Sequence, residues 1–162
     1  MDEAVIYAKK YLEDILSFFG LNTDIYATND GDVIELNVPS THLNGFLIGQ
    51  QGDTMRALQF MVSNALRNQG HEYTRVNVDI ADYKKQRAHQ IEERAAEWMA
   101  EVKKSGKEMA LQPMNAADRR TVHKAAGEAG IVTVSVGEGR ERHIVLKPSD
   151  DTTTPVTEET QA

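Results

Sequence analysis

The sequence predicts an α+β protein of the mixed α/β class, built as two small sandwiches in series with a polar tail. Three observations carry this. Apolar and polar residues alternate in short stretches such as Ile34, Leu36, Val38 and Val76, Val78, Ile80, as in strands with one buried face. Longer stretches repeat apolar residues every three or four positions, as helices do. The order of the two kinds of stretch changes near residue 80, from α-β-β-α-α-β over residues 1–80 to α-β-α-β-β over residues 81–148. No internal repeat relates the two halves.

In the first half, Val5, Ala8, Leu12, Ile15 and Phe19 keep one helical face, and Gly20 is a natural stop. Strands are expected at 24–27 and 32–38, joined by the turn residues Thr28-Asn29-Asp30-Gly31. Pro39 ends this hairpin. A short helix then leads from Ser40 into the stretch Gly45-Phe46-Leu47-Ile48-Gly49-Gln50-Gln51-Gly52. Beyond it, Met55, Leu58, Val62, Ala65 and Leu66 mark the buried face of a longer helix, with Asp53 or Thr54 as its cap. Gly70 breaks the chain before the third strand.

In the second half a helix starts near Asp82, with Ala88, Ile91, Ala95, Trp98 and Val102 on its buried face. Lys103 and Lys104 stand in its last turn and Gly106 follows, as the helix dipole and C-cap favour. A short strand at 109–111 precedes Pro113-Met114-Asn115, and Asn115 caps a helix running to Gly127. Residues 131–136 and 142–146 read as a hairpin across Gly137-Glu138-Gly139-Arg140. Pro148 ends the fold, and the polar, Thr-rich, acidic residues 149–162 are expected to be disordered.

The 162 residues carry a net charge of −7, which argues against a polyanionic partner until its distribution is considered. Residues 1–80 hold five Lys and Arg against eleven acids, whereas residues 81–147 hold thirteen against ten. The basic excess therefore lies in the second half, and local patches decide phosphate binding more than the total does. The absence of cysteine excludes disulfides and thiolate metal sites. No apolar run is long enough to cross a bilayer. The start Met1-Asp2-Glu3-Ala4 has no basic segment before an apolar core, so no secretory signal is read and a cytoplasmic location is expected. Walker loops, nucleophile motifs and His/Asp clusters with metal-ligand spacing are missing, so no catalytic residue, metal or cofactor is assigned.

Two stretches carry binding chemistry. In Gly49-Gln50-Gln51-Gly52, the glycines lack a β-carbon, so the chain turns sharply and a phosphate can come close. The helix start that follows offers unpaired N–H groups and partial positive charge. Gly-x-x-Gly between an apolar element and an amphipathic helix, with strands on both sides, resembles a type II KH domain. That resemblance implies that the loop clamps a single-stranded backbone. The second stretch is Leu111-Gln112-Pro113-Met114-Asn115-Ala116-Ala117-Asp118-Arg119-Arg120-Thr121-Val122-His123-Lys124. Arg119 and His123 are four apart and share a helix face. A guanidinium suits bidentate phosphate recognition, and a histidine beside it can bond a phosphate or stack on a base. Arg120 lies one position round the helix. Lys124, Arg140 and Arg142 extend the patch if the hairpin packs beside the helix. Tyr26, Tyr73 and Tyr83 offer stacking surfaces whose placement the sequence leaves open.

The pattern Pro-Met-Asn, acid, Arg-Arg, two spacers and His resembles the Arg-x-x-x-His (R-3-H) domain, a binder of single-stranded nucleic acid. Arg140-Glu141-Arg142-His143-Ile144-Val145-Leu146-Lys147-Pro148 is similar to that family's closing strands. A KH domain followed by this module resembles the bacterial Jag family, the SpoIIIJ-associated proteins. The resemblance implies binding of single-stranded RNA, with single-stranded DNA as the alternative, in a non-enzymatic RNA chaperone or post-transcriptional regulator. It also implies a small single-KH protein partner and a link to cell-envelope growth. The Gln50-Gln51 loop departs from the many KH loops that carry a basic residue there. Two rival readings stay open: a protein-interaction or dimerisation scaffold, and a nuclease.

Overall fold

A computed structural model describes residues 2–149; Met1 and residues 150–162, nearly all of the expected tail, lie outside the described residues. The chain divides into two compact units, one up to Arg87 and one from Ala88 on.

The first unit opens with α1 (Glu3–Phe18), capped by the Asp2 carboxylate, which accepts from Ala4 N at 3.1 Å. Its buried face is Val5, Ala8, Leu12 and Leu16; Phe19, expected on that face, is the exposed C-cap. The strands β1 (Tyr26–Asp30) and β2 (Val33–Val38) are antiparallel, and β2 runs parallel to β3 (Arg75–Ile80), giving the order β1-β2-β3. The expected turn at 28–31 is corrected to two residues, Gly31-Asp32, because Asp30 stands opposite Val33. Gly31 (φ +61°) takes the first central position, as a two-residue hairpin turn with leading glycine requires, and Thr28, Asn29 and Asp30 thereby join the strand. Parallel strands need a crossover. Here α2 (Asn44–Ile48) and α3 (Asp53–Asn68) supply it, and Met55, Leu58, Val62 and Leu66 of α3 are buried. The register Ile34–Val76, Leu36–Val78, Val38–Ile80 places all six side chains on one buried face. The element order is the α-β-β-α-α-β read from the sequence.

α4 (Tyr83–Ser105) begins in the first unit and continues in the second. In the second unit it buries Ile91, Ala95, Met99 and Val102. Met99 takes the place expected for Trp98, whose half-buried ring lies under the Arg94 guanidinium, 6.0 Å from the ring centroid. β4 (Met109–Ala110) and α5 (Ala116–Ala129) follow. Asn115 caps α5 as expected, accepting from Asp118 N at 2.9 Å. The helix runs past Gly127 to a left-handed Gly130 (φ +72°). β5 (Val132–Val136) and β6 (His143–Lys147) complete an antiparallel sheet in the order β4-β6-β5. Ile144 and Leu146 of β6 are buried with Val122 and Ala126 of α5 in the second core. Among the described residues, no buried side-chain nitrogen or oxygen lacks a hydrogen-bond partner.

Candidate nucleic-acid interface

The loop of the first unit is a left-handed stretch of backbone. Gly49 (φ +72°, ψ −172°) ends α2, Gln51 (φ +51°) follows in a short 3-10 turn, and Gly52 (φ +81°) stands at the N-cap of α3. The Gly49 conformation is open essentially to glycine alone. A Cβ there would fall 2.3 Å from Thr54 Oγ1, so no other residue fits. A Cβ at Gly52 would fall 3.0 Å from Tyr83 Cε1 and 3.3 Å from Arg56 Nη1. The expected cap by Asp53 or Thr54 is corrected: Gly52 is the N-cap of α3, and Asp53 already has helical φ/ψ (−61°, −44°). The left-handed Gly52 (φ +81°) starts the helix one residue early, and the Asp53 carboxylate pairs with Arg56 at 2.5 Å. Arg56 and Tyr83 were not among the residues assigned to this site from sequence. The helical spacing from the loop was the available signal for Arg56; nothing local announced Tyr83.

The second unit gathers three of its six assigned residues. Arg119 Nη1 donates to Met114 O at 2.6 Å. Met114 N in turn donates to Arg142 O at 3.2 Å, and Arg142 Nε donates to Ser135 Oγ at 2.9 Å. Two residues away on the same face of β5, the Thr133 hydroxyl shares a 2.5 Å hydrogen bond with His123 Nδ1. Arg119, His123 and Arg142 are thus tied by neutral partners into one patch formed by α5, β5 and the start of β6. Neither guanidinium is paired with a carboxylate among the described residues. Met114, Thr133 and Ser135 were missed from sequence; the signal was the polar alternation at 133 and 135 in an otherwise apolar strand.

The other three assigned residues fall elsewhere. Lys124 lines a groove between α4 and α5 with Glu92, Met99, Lys103 and Glu128. Arg120, four residues before it on the same side of α5, is exposed and donates from Nε to Ala116 O at 3.3 Å. Each lies about 100° round the helix from Arg119 or His123. Arg140 is exposed in the 3-10 turn Gly139–Glu141 between β5 and β6.

Residues 87–148 match the R-3-H domain family. The Arg119–His123–Arg142 patch lies within the matched residues. A Clostridium symbiosum protein named RNA-binding protein KhpB is 30% identical over 141 residues, covering 86% of this chain and 64% of the relative. Its namesake from Bacillus subtilis (strain 168) is 29% identical, covering 86% of this chain and 68% of the relative. Another from Lactiplantibacillus plantarum is 29% identical over 84% of this chain and 42% of the relative. The chain therefore spans between two fifths and about two thirds of these relatives. No helix among the described residues is long and apolar enough to cross a membrane. Among those residues, no group of three or more His, Asp or Glu is placed to hold a metal ion.

Proposed function

We propose that this protein binds single-stranded RNA through two seats and performs no chemistry on it. The observation that carries the reading is the circuit around Arg119, His123 and Arg142. Hydrogen bonds to uncharged partners orient each group, and the guanidinium charges stay uncancelled for phosphate. The relatives' printed name, RNA-binding protein, supports it. The loop Gly49–Gly52 is the second seat, through backbone N–H groups at the start of α3, in a unit with the element order of a type II KH domain. In this reading Arg140 lends charge from the adjoining turn. Arg120 and Lys124 act only at long range. A role as cytoplasmic RNA chaperone or post-transcriptional regulator tied to envelope growth follows from the Jag resemblance.

Fluorescence anisotropy with one labelled mixed-sequence single strand, as RNA and as DNA, tests the reading. Micromolar or tighter binding of the RNA is expected, and its absence removes the proposal. Cleavage of that RNA in the presence of Mg²⁺ would replace it with a nuclease.

A second, compatible reading adds a protein partner such as a small single-KH protein. All four phenylalanines of the chain are exposed in the first unit: Phe18, Phe19, Phe46 and Phe60. Phe19 and Phe46 meet edge to face with centroids 5.2 Å apart. Clustered surface aromatics mark contact surfaces. Sedimentation of the chain alone and with such a partner separates the two cases.

A further inference from the structure

The connection from β3 to α4 is strained. Ala81 (φ +52°) and Asp82 (φ +56°) are consecutive non-glycine residues in the left-handed region. Each such residue costs on the order of 1–3 kcal/mol and persists only where its surroundings over-determine it. They do so here. Ala81 N donates to Val38 O at 2.9 Å, and Gln86 Nε2 donates to Ala81 O at 3.4 Å. The Asp79 carboxylate accepts from Ile80 N at 3.0 Å and from Lys84 N at 3.2 Å, which fixes the first turn of α4.

The strained turn delivers two side chains. The Tyr83 ring stands beside Gly52, where an added Cβ would fall 3.0 Å from Tyr83 Cε1, tighter than ordinary contact. The Lys84 ammonium reaches back to Asn77 Oδ1 and, at 3.3 Å, to Gln59 Oε1. Gln59 belongs to α3 and also accepts from Val78 N of β3 at 3.1 Å. Burial pushes the Lys84 ammonium below its ordinary pKa, while the carboxylates of Asp79 and Glu35 pull it back up and Arg56 adds to the lowering. A half-buried ammonium gives up solvation for these two oxygens, so its position is specified. One turn of α4 thus touches the loop through Tyr83 and ties the helix behind the loop to β3 through Lys84.

We propose that Tyr83 and Lys84 are positioning residues for the loop Gly49–Gly52, holding Gly52 and the first turn of α3 in the geometry that receives a backbone phosphate. The proposal rests on the loop being a phosphate seat. It makes the single-strand seat of the first unit end with the first turn of α4 and not with β3.

The test uses the full chain as Tyr83→Ala, Tyr83→Phe, Lys84→Met and the double variant Gln50→Asp/Gln51→Asp. Amide hydrogen exchange of the free proteins reads the loop, and anisotropy with the labelled mixed-sequence RNA reads binding. Tyr83→Ala is expected to speed exchange at residues 52–56 by roughly tenfold while α1 amides keep their protection. It is expected to weaken binding about threefold. Tyr83→Phe keeps the ring on Gly52 and should stay closer to wild type than to Tyr83→Ala in both readouts. Lys84→Met should act in the same direction as Tyr83→Ala and carries the test if Tyr83→Ala does not fold. Unchanged loop exchange in folded Tyr83→Ala or folded Lys84→Met overturns the proposal. So does faster exchange with wild-type affinity when the Gln50/Gln51 variant binds more weakly. If the Gln50/Gln51 variant itself binds as wild type, the loop is not a seat, and the reading beneath the proposal falls with it.

Discussion

The two candidate seats answer the same ligand with different materials. In the first unit the groups aimed at phosphate are main-chain N–H groups, and the residues that matter are those that shape the backbone. The nearest cation, Arg56, is already engaged by Asp53, and residues 1–80 carry eleven acids against five bases. In the second unit the backbone is ordinary helix and strand, and the groups on offer are charged side chains tethered by neutral partners. A seat made of backbone is specific in shape and weak in charge; a seat made of guanidinium is the reverse. The first should tolerate few substitutions and depend little on salt, and the second should show the opposite behaviour.

Gly49→Ala is the sharpest way to probe the first half of that contrast. The new Cβ meets Thr54 Oγ1 at 2.3 Å in a conformation reserved for glycine, so a loss of about 3 kcal/mol or more in chemical denaturation is expected. Gly130→Ala in the second unit is the control. It also has positive φ, but nothing lies within 4 Å of its Cβ position. It should cost only about 1–2 kcal/mol. Equal costs would mean that the loop is not built more tightly than an ordinary helix end.

Arg119→Ala with His123→Ala tests the second half. Each group makes a charge-assisted hydrogen bond in the proposed complex, so RNA affinity should fall roughly tenfold to a hundredfold at moderate salt. The slope of log affinity against log salt should flatten by about 0.7 for each phosphate that the variant no longer neutralises. Removing the Arg119 bond to Met114 O should cost only about 1 kcal/mol of stability, which a thermal melt separates from the binding effect. Gln50→Asp with Gln51→Asp should weaken binding less, about threefold, because it adds repulsion without removing a donor. Gln51 already sits at φ +51°, a region aspartate tolerates, so the variant should fold. If the loop variant proves the weaker binder, the backbone seat dominates and the ranking is reversed.

How much of this was legible in the sequence follows from the range of each interaction. Element order, the Asn115 cap and the shared face of Arg119 and His123 depend on residues within a turn or two of each other, and alternation or helical spacing exposes them. Errors arose where two local readings competed. Asn29-Asp30-Gly31 carries turn chemistry, yet β-pairing draws Thr28, Asn29 and Asp30 into the strand and leaves Gly31-Asp32 as the turn. Trp98 and Met99 are one position apart on one helix, and only the packed core selects Met99. The contacts that shape the candidate seats were least visible. Tyr83 on Gly52 and Arg142 on Ser135 join residues whose neighbours in sequence give no sign of the meeting.

The smallest expected effect asks whether geometry or mere charge governs the second seat. Arg142 and Lys124 contribute one positive charge each to the same unit, and a view based on net charge ranks them alike. Their positions differ. Arg142 is held by Ser135 beside the Arg119–His123 patch, whereas Lys124 lines the groove with Glu92, Lys103 and Glu128. Two carboxylates near Lys124 already offset part of its field, and salt screens the rest. Arg142→Ala should therefore weaken RNA binding about fivefold at moderate salt, as expected for one hydrogen bond worth about 1 kcal/mol. Lys124→Ala should change it by less than about twofold, and that small change should vanish as salt rises. Anisotropy titrations of both variants against one RNA at low and moderate salt decide the matter. Equal losses that decline together with salt would show that the second seat works as a diffuse basic surface, and the hydrogen-bonded circuit would lose its claim to be the binding site.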